Sequence, residues 1–233
     1  MIKVKKDAIK YKSSDGTMKD SGVLCQLGTF GEDLFQYARS LTGFFRDATF
    51  SDGYELNVYI PNIGKYEKSP NRDISYAFRG TKGIKKIVLK SDETELPIAS
   101  SYAFNNSDVE EVDLSEFYPV FANFGQIFSS STKLKTIRGQ LDLSIIKTGT
   151  LSSFTSCTSL VDLELKKNTL FVGFNIANSP SLSDKSIDSL VNGFADMTGQ
   201  TAIVFTVHKD VKARIEANPV WLATLTSKNV TLA

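Results

Sequence analysis

The chain has 233 residues, 41% apolar and 23% charged, a globular balance that can bury a substantial core and argues against disorder of the whole. Its 27 basic and 26 acidic residues leave a net charge of +1, so composition shows no excess of positive charge of the kind that drives binding to nucleic acid or anionic membrane. No uninterrupted run of 18 apolar residues is present, so no membrane insertion is expected.

The opening, MIKVKKDAIKYKSSDGTMKD, has charge every second or third residue and no apolar run of seven, unlike a secretory leader, and a protein made in the cytoplasm is expected. Within it, MIKVKKDAIKYK and TMKDSGVLCQLG flank Ser14-Asp15-Gly16 and predict a two-stranded ribbon; GEDLFQYARSL then suggests a short helix. Cys25 and Cys157 are far apart and without histidine neighbours, which reads as two free thiols.

The centre of the chain is periodic. The segments FRGTKGIKKIVL from Phe78, FNNSDVEEVDL from Phe104, FSSSTKLKTIRG from Phe128 and FTSCTSLVDLEL from Phe154 share an aromatic, a short polar stretch and then L-x-x-I-x-L. Ile87, Val112, Ile137 and Leu163 follow one another at 25, 25 and 26 residues, and Ile84, Val109, Leu134 and Leu160 keep the same spacing. A period of this length predicts one short parallel strand and a return path per unit. A β-sandwich is the competing reading, but its hairpins come every 8 to 12 residues and need no aromatic at a constant offset. Alternation in IKKIVL places Ile87 and Leu89 on one side and Lys86 and Val88 on the other, and the phenylalanines are expected to stack in the interior. Upstream, GFFRDATFSDGYELNVYIP reads as a stretched copy, with Phe45 in the aromatic place, Ser51-Asp52-Gly53 as a turn, and Leu56, Val58 and Ile60 as a strand. Downstream, Ile176 stands where phenylalanine stood and Leu182 follows six residues later.

The period then changes. Ile187, Leu190, Val191 and Phe194 form a helical stripe capped near Ser183; TAIVFTV reads as a strand, KDVKARIEA as a helix stopped by Asn218-Pro219, and KNVTLA as a last strand. Trp221, Leu222 and Leu225 are expected to plug this end. The expected organisation is an N-terminal ribbon and attachment segment over 1–44, repeats over 45–182 and a capping segment over 183–233. The expected fold class is α/β, a right-handed β/α repeat solenoid with a parallel sheet.

If the apolar positions point inward, two outward columns remain: Lys86, Glu111, Thr136 and Asp162, and beside them Val88, Asp113, Arg138 and Glu164. These eight residues are the candidate binding face. Lys86 is expected beside Glu111, and Arg138 between Asp113 and Glu164. The face reads either as a recognition surface or, as the sequence favours, as charges that satisfy one another across strands.

Residues for chemistry are scarce. His208 is the single histidine, too little for a zinc site or a serine-type triad; the carboxylates of VEEVD and VDLEL fall on regular outward positions, and no EF-hand or phosphate-loop spacing occurs. No cofactor, metal or catalytic residue is expected, and a polysaccharide-degrading enzyme is the remote third reading.

YAFNNSDVEEVDL and SSFTSCTSLVDLEL resemble the BspA-like leucine-rich repeat family, whose units place an aromatic before a small polar or cysteine-containing turn and an L-x-x-I-x-L strand. The likeness runs from about Phe45 to Leu182, with Cys157 at the family's cysteine position and Gly139 standing where the last strand leucine belongs. The tail, SLSDKSIDSLVNGFADMTGQTAIVFTV with KNVTLA, is similar to closing segments of repeat proteins encoded by phages and prophages of Gram-positive bacteria, and IKVKKDAIKYKSSDGTMK resembles openings of tail or baseplate-associated proteins. The resemblance implies protein or glycan binding without catalysis. A virion location follows as the expectation, with other virion proteins or a host-surface protein or glycan as partners and self-association open. The alternative is a bacterial cell-surface adhesion module.

Overall fold

A computed structural model describes residues 10–12, 18–20, 41–59, 72–91 and 97–233. The fold is α/β with mostly parallel sheets. Strands β1 (Lys10–Lys12) and β2 (Met18–Asp20) pair antiparallel and form the ribbon expected around Ser14-Asp15-Gly16. The helix suggested by GEDLFQYARSL falls, over 31–40, outside the described residues.

The largest sheet contains β3 (Thr49–Tyr59), β5 (Lys82–Lys90), β7 (Glu111–Glu116), β9 (Thr136–Leu141) and β11 (Asp162–Leu165), side by side in chain order and all parallel. A three-stranded parallel sheet holds β4 (Arg72–Asp73), β6 (Pro97–Ala99) and β8 (Val120–Asn123). A four-stranded one holds β10 (Thr150–Leu151), β12 (Gly173–Ile176), β13 (Ile203–Val207) and β14 (Val230–Leu232). Successive strands of the large sheet are therefore joined by crossovers rather than hairpins, which is why its aromatic signal recurs at about 25 residues and not at 8 to 12.

The core between these sheets is built on rings. Phe45, Phe78, Phe104, Phe128 and Phe154 stack with successive centroid distances of 5.5, 5.1, 5.3 and 5.5 Å and near-parallel planes. All five are buried, and Phe174 and Phe205 continue the series with tilted rings. Each such pair adds about 0.5–1.5 kcal/mol beyond its burial. Ile176 takes the aromatic place of the next unit and is buried, as expected, while the ring contact to Phe154 comes from Phe174 two residues earlier.

The turns carrying these rings stack by hydrogen bonds. Phe45, Phe78 and Phe104 donate their amides to the carbonyls of Ala77, Ala103 and Ile127 in the next turn, and the amides two residues on either side do likewise. A left-handed residue flanks the first four rings on both sides, and Phe154 on its C-terminal side only. Two before the ring stand Gly43, Tyr76, Tyr102 and Gln126 with φ of 65°, 59°, 58° and 51°, and two after it Asp47, Gly80, Asn106, Ser130 and Ser156 with φ between 54° and 70°. Asn and Asp accept this region readily; tyrosine there carries a cost of about 1–2 kcal/mol. Three after the ring, or after Ile176 in its place, a small buried donor recurs. Ser131 Oγ donates to the Phe104 carbonyl at 2.6 Å, Cys157 Sγ to that of Phe128 at 3.1 Å, and Ser179 Oγ to that of Cys157 at 3.0 Å. Cys157 is thus a buried packing thiol, pushed up by that burial to about 12 and inert as a nucleophile.

Helix α1 (Asp184–Gly193) starts at Ser183, whose hydroxyl accepts from the Ser186 amide, and buries Ile187, Leu190, Val191 and Phe194 as the stripe predicts. It closes the open edge of β11: Ser186 Oγ accepts from the Leu163 amide at 3.0 Å and Ser189 Oγ from the Leu165 amide at 2.9 Å. Helix α2 (Lys209–Ala217) follows β13, with His208 as its N-cap. Three expectations are corrected. Asn218-Pro219 ends α2 but also begins a further helix, α3 (Pro219–Ser227), because the Asn218 side chain accepts from the amides of Val220 and Trp221 and Pro219 suits the first turn. The plug is then Leu225, fully buried, with Trp221 half-buried and Leu222 exposed. Ser51-Asp52-Gly53 does not turn the chain but lies inside β3, where the pairing to β5 skips from Thr49 to Tyr54 and the left-handed Gly53 absorbs the bulge. Ile60 lies outside the described residues.

Candidate functional site

The outward face of the large sheet is where the eight candidate residues fall. Lys86, Glu111, Thr136 and Asp162 sit directly opposite one another in successive strands, as do Val88, Asp113 and Arg138. Between them the inward positions Ile87, Val112, Ile137 and Leu163 are buried. The alternation read from the sequence therefore sorts the two faces as expected.

Glu164 is the exception. It pairs with Gln140 rather than Arg138, because three residues of β9 (Ile137, Arg138 and Gly139) oppose Leu163 alone. Gly139 makes this bulge possible. Its φ is 86°, and a Cβ placed there would lie 2.8 Å from the Leu114 carbonyl carbon. The strand leucine missing at 139 is delivered two residues later by Leu141, buried and level with Leu165. Arg138 consequently does not lie between Asp113 and Glu164; it reaches diagonally to Glu111, Nε to Oε1 at 2.7 Å. Glu164 instead pairs with Lys185 of α1.

The remaining charges on the face are also engaged. Lys86 Nζ lies 2.8 Å from Glu111 Oε1 and 3.2 Å from Asp113 Oδ2. Asp113 also accepts from the amide and hydroxyl of Ser115, and Asp162 from the Ser183 hydroxyl. The Arg138 hydrogen bond, then Lys86 against partial burial, holds the Glu111 carboxyl below its usual range. Burial pushes Asp113 up, and the Ser115 and Lys86 bonds more than reverse it. Lys86 is raised by its Glu111 bond. All three stay ionised at neutral pH.

The bulge opens a cleft of about 510 Å³ on this face, lined among others by Thr136, Arg138, Asp162 and Glu164 from the candidate set and by Ser115 and Lys185. It does not include Lys86, Val88, Glu111 or Asp113. Sequence reasoning missed Ser115 and Lys185. The signal that could have found the cleft is Gly139 itself, since glycine in a strand position marks a bulge.

Among the described residues, no group of three or more His, Cys, Asp or Glu is placed to hold a metal ion, and no helix is long and apolar enough to cross a membrane. His208 accepts from the Asp210 amide as a helix cap. No protein-family model, curated protein or solved structure matches the chain.

Proposed function

We propose that the chain is a non-catalytic binding and structural protein, a leucine-rich repeat solenoid of the BspA-like kind serving in a phage tail or baseplate. In this reading it contacts another virion protein or a host surface through the repeat sheet or the rim of turns beside it. The observation that carries it is the register: Lys86, Glu111, Thr136 and Asp162 stand on consecutive parallel rungs, giving a continuous surface of the sort through which repeat proteins bind. The carboxylates a hydrolase would need are committed elsewhere, Glu111 to Lys86 and Arg138, Asp113 to Lys86 and Ser115, Glu164 to Lys185. The virion assignment rests on the resemblance of the opening and closing segments. Mass spectrometry of purified phage particles tests it: the chain is expected at a fixed stoichiometry with the tail proteins. Its recovery from the envelope of uninfected cells, and never from particles, would favour the cell-surface adhesion module instead.

A further inference from the structure

The cleft at the β9 bulge holds hydrogen-bonding groups that the pairing of charges on the sheet face does not use. Gly139 stands where the repeat calls for leucine, holds φ of 86° and lets the chain pass against the Leu114 backbone. Bulges re-aim side chains and are over-represented beside functional sites. The cleft measures about 510 Å³, within the range of small-ligand sites. Its ionised side chains are two of each sign, Arg138 and Lys185 against Asp162 and Glu164, so it carries no net charge. Lys185 and Glu164 pair with each other. Arg138, more than half exposed, bonds to Glu111 through Nε, and its Nη1 and Nη2 donate to no described residue. Asp162, half-buried, accepts at Oδ1 from the Ser183 hydroxyl, while Oδ2 has neither a hydrogen bond nor an ion pair among the described residues. The half-buried Thr136 hydroxyl likewise has no partner among them. Thr136 and Asp162 stand opposite each other on β9 and β11, with Arg138 two residues along the same strand from Thr136. Two guanidinium nitrogens, a carboxylate oxygen and a hydroxyl are therefore left over on adjoining positions of one cleft.

We infer that this cleft binds a neutral saccharide, whose hydroxyls donate to Asp162 and accept from Arg138 and Thr136. A sugar hydroxyl donates and accepts at once, so it matches a wall where carboxylate and guanidinium stand side by side. An ionic ligand fits less well. The balanced charges give it no net attraction, and pairing with Arg138 or Lys185 sets an anion against Asp162 and Glu164. A flat apolar ligand meets no aromatic side chain among the residues lining the cleft. The inference rests on the binding reading given above and deepens it, naming the ligand class and its place on the sheet.

Amide chemical shifts of the full chain, followed during titration with oligomers of glucose, galactose and N-acetylglucosamine, test it, with galacturonate and glucosamine oligomers as charged counterparts. At least one neutral series is expected to shift Thr136, Arg138, Gly139 and Asp162, and its charged counterpart to bind about tenfold more weakly. Because no ion pair is formed, affinity for the neutral series is expected to change by less than about twofold between low salt and about 1 M. Asp162→Asn keeps an acceptor for the Ser183 hydroxyl and is expected to lose about tenfold in affinity with a melting temperature like that of wild type. Thr136→Val keeps the side-chain shape and is expected to lose less. Shifts confined to other residues, tighter binding of a charged series, binding abolished by salt, undiminished affinity in both variants, or no shift with any neutral series would overturn the site. None of these outcomes touches the virion reading, which particle composition decides. Conversely, a chain absent from particles that still binds a neutral saccharide through Asp162 would keep the cleft and sink the virion assignment.

Discussion

Phe104 sits at the middle of five stacked rings, 5.1 Å from Phe78 and 5.3 Å from Phe128, and is almost completely buried. Its replacement by alanine removes two ring contacts and leaves a cavity walled by neighbouring turns that their own hydrogen bonds hold in place. A loss of about 3–5 kcal/mol is expected in denaturant unfolding. A shift of only a degree or so in melting temperature would count against the ring column. Gly139→Ala is a different failure at the same scale, forcing an alanine to positive φ with its Cβ against the Leu114 backbone. It is expected to cost about 1–3 kcal/mol and to reshape the cleft. Cys157 should resist alkylation in the native protein and react after unfolding, as peptide mass spectrometry of the labelled chain would show. The phenylalanines are legible in the sequence because stacked turns require an aromatic at constant offset from each strand and hairpins do not. The left-handed tyrosines are not, since the turn geometry that puts Tyr76 at φ 59° depends on hydrogen bonds from the neighbouring turn, which a linear pattern does not contain.

Strand β11 is at one edge of the large sheet, and α1 covers that edge with two serine hydroxyls. Ser186 is buried, so Ser186→Ala strands the Leu163 amide and is expected to cost about 1–3 kcal/mol, with faster hydrogen exchange at Leu163 than at Val112. The pairing of β9 with β11 follows from spacing, but its bulge does not. Alternation assigns the faces correctly through Glu164, but the partner expected for Glu164 is wrong, because extra residues on β9 shift every later pairing. The face between β5, β7 and β9 also sets a pH dependence. Glu111 and Asp113 titrate below their unfolded values, so their contribution is complete above the ordinary carboxylate range of about 4 and is lost as pH falls through their lower folded values. Lys86 titrates above its unfolded value, so its contribution is complete below about 10.4 and fades as pH rises beyond. Arg138→Glu places a third carboxylate beside Glu111 and Asp113; with Arg138 more than half exposed, it should cost less than about 1 kcal/mol at low salt. That difference should shrink in about 1 M salt.

At the scale of the molecule, the sheets divide the work. The inward faces of the large sheet and its neighbours share one ring-lined core, while the outward face closes its charges on itself. The C-terminal segment is readable element by element except α3, because Asn218-Pro219 both ends one helix and starts another, and a stop signal alone does not announce the start. The whole account depends on strands about 25 residues apart being neighbours. Nuclear Overhauser spectroscopy on a deuterated, methyl- and aromatic-labelled sample measures this directly. The account predicts parallel cross-strand contacts linking Ile87 to Val112 and Val112 to Ile137, with ring contacts from Phe78 to Phe104 and Phe104 to Phe128. An antiparallel pattern, or contacts from Ile87 to a strand within a dozen residues of it in the chain, would contradict it.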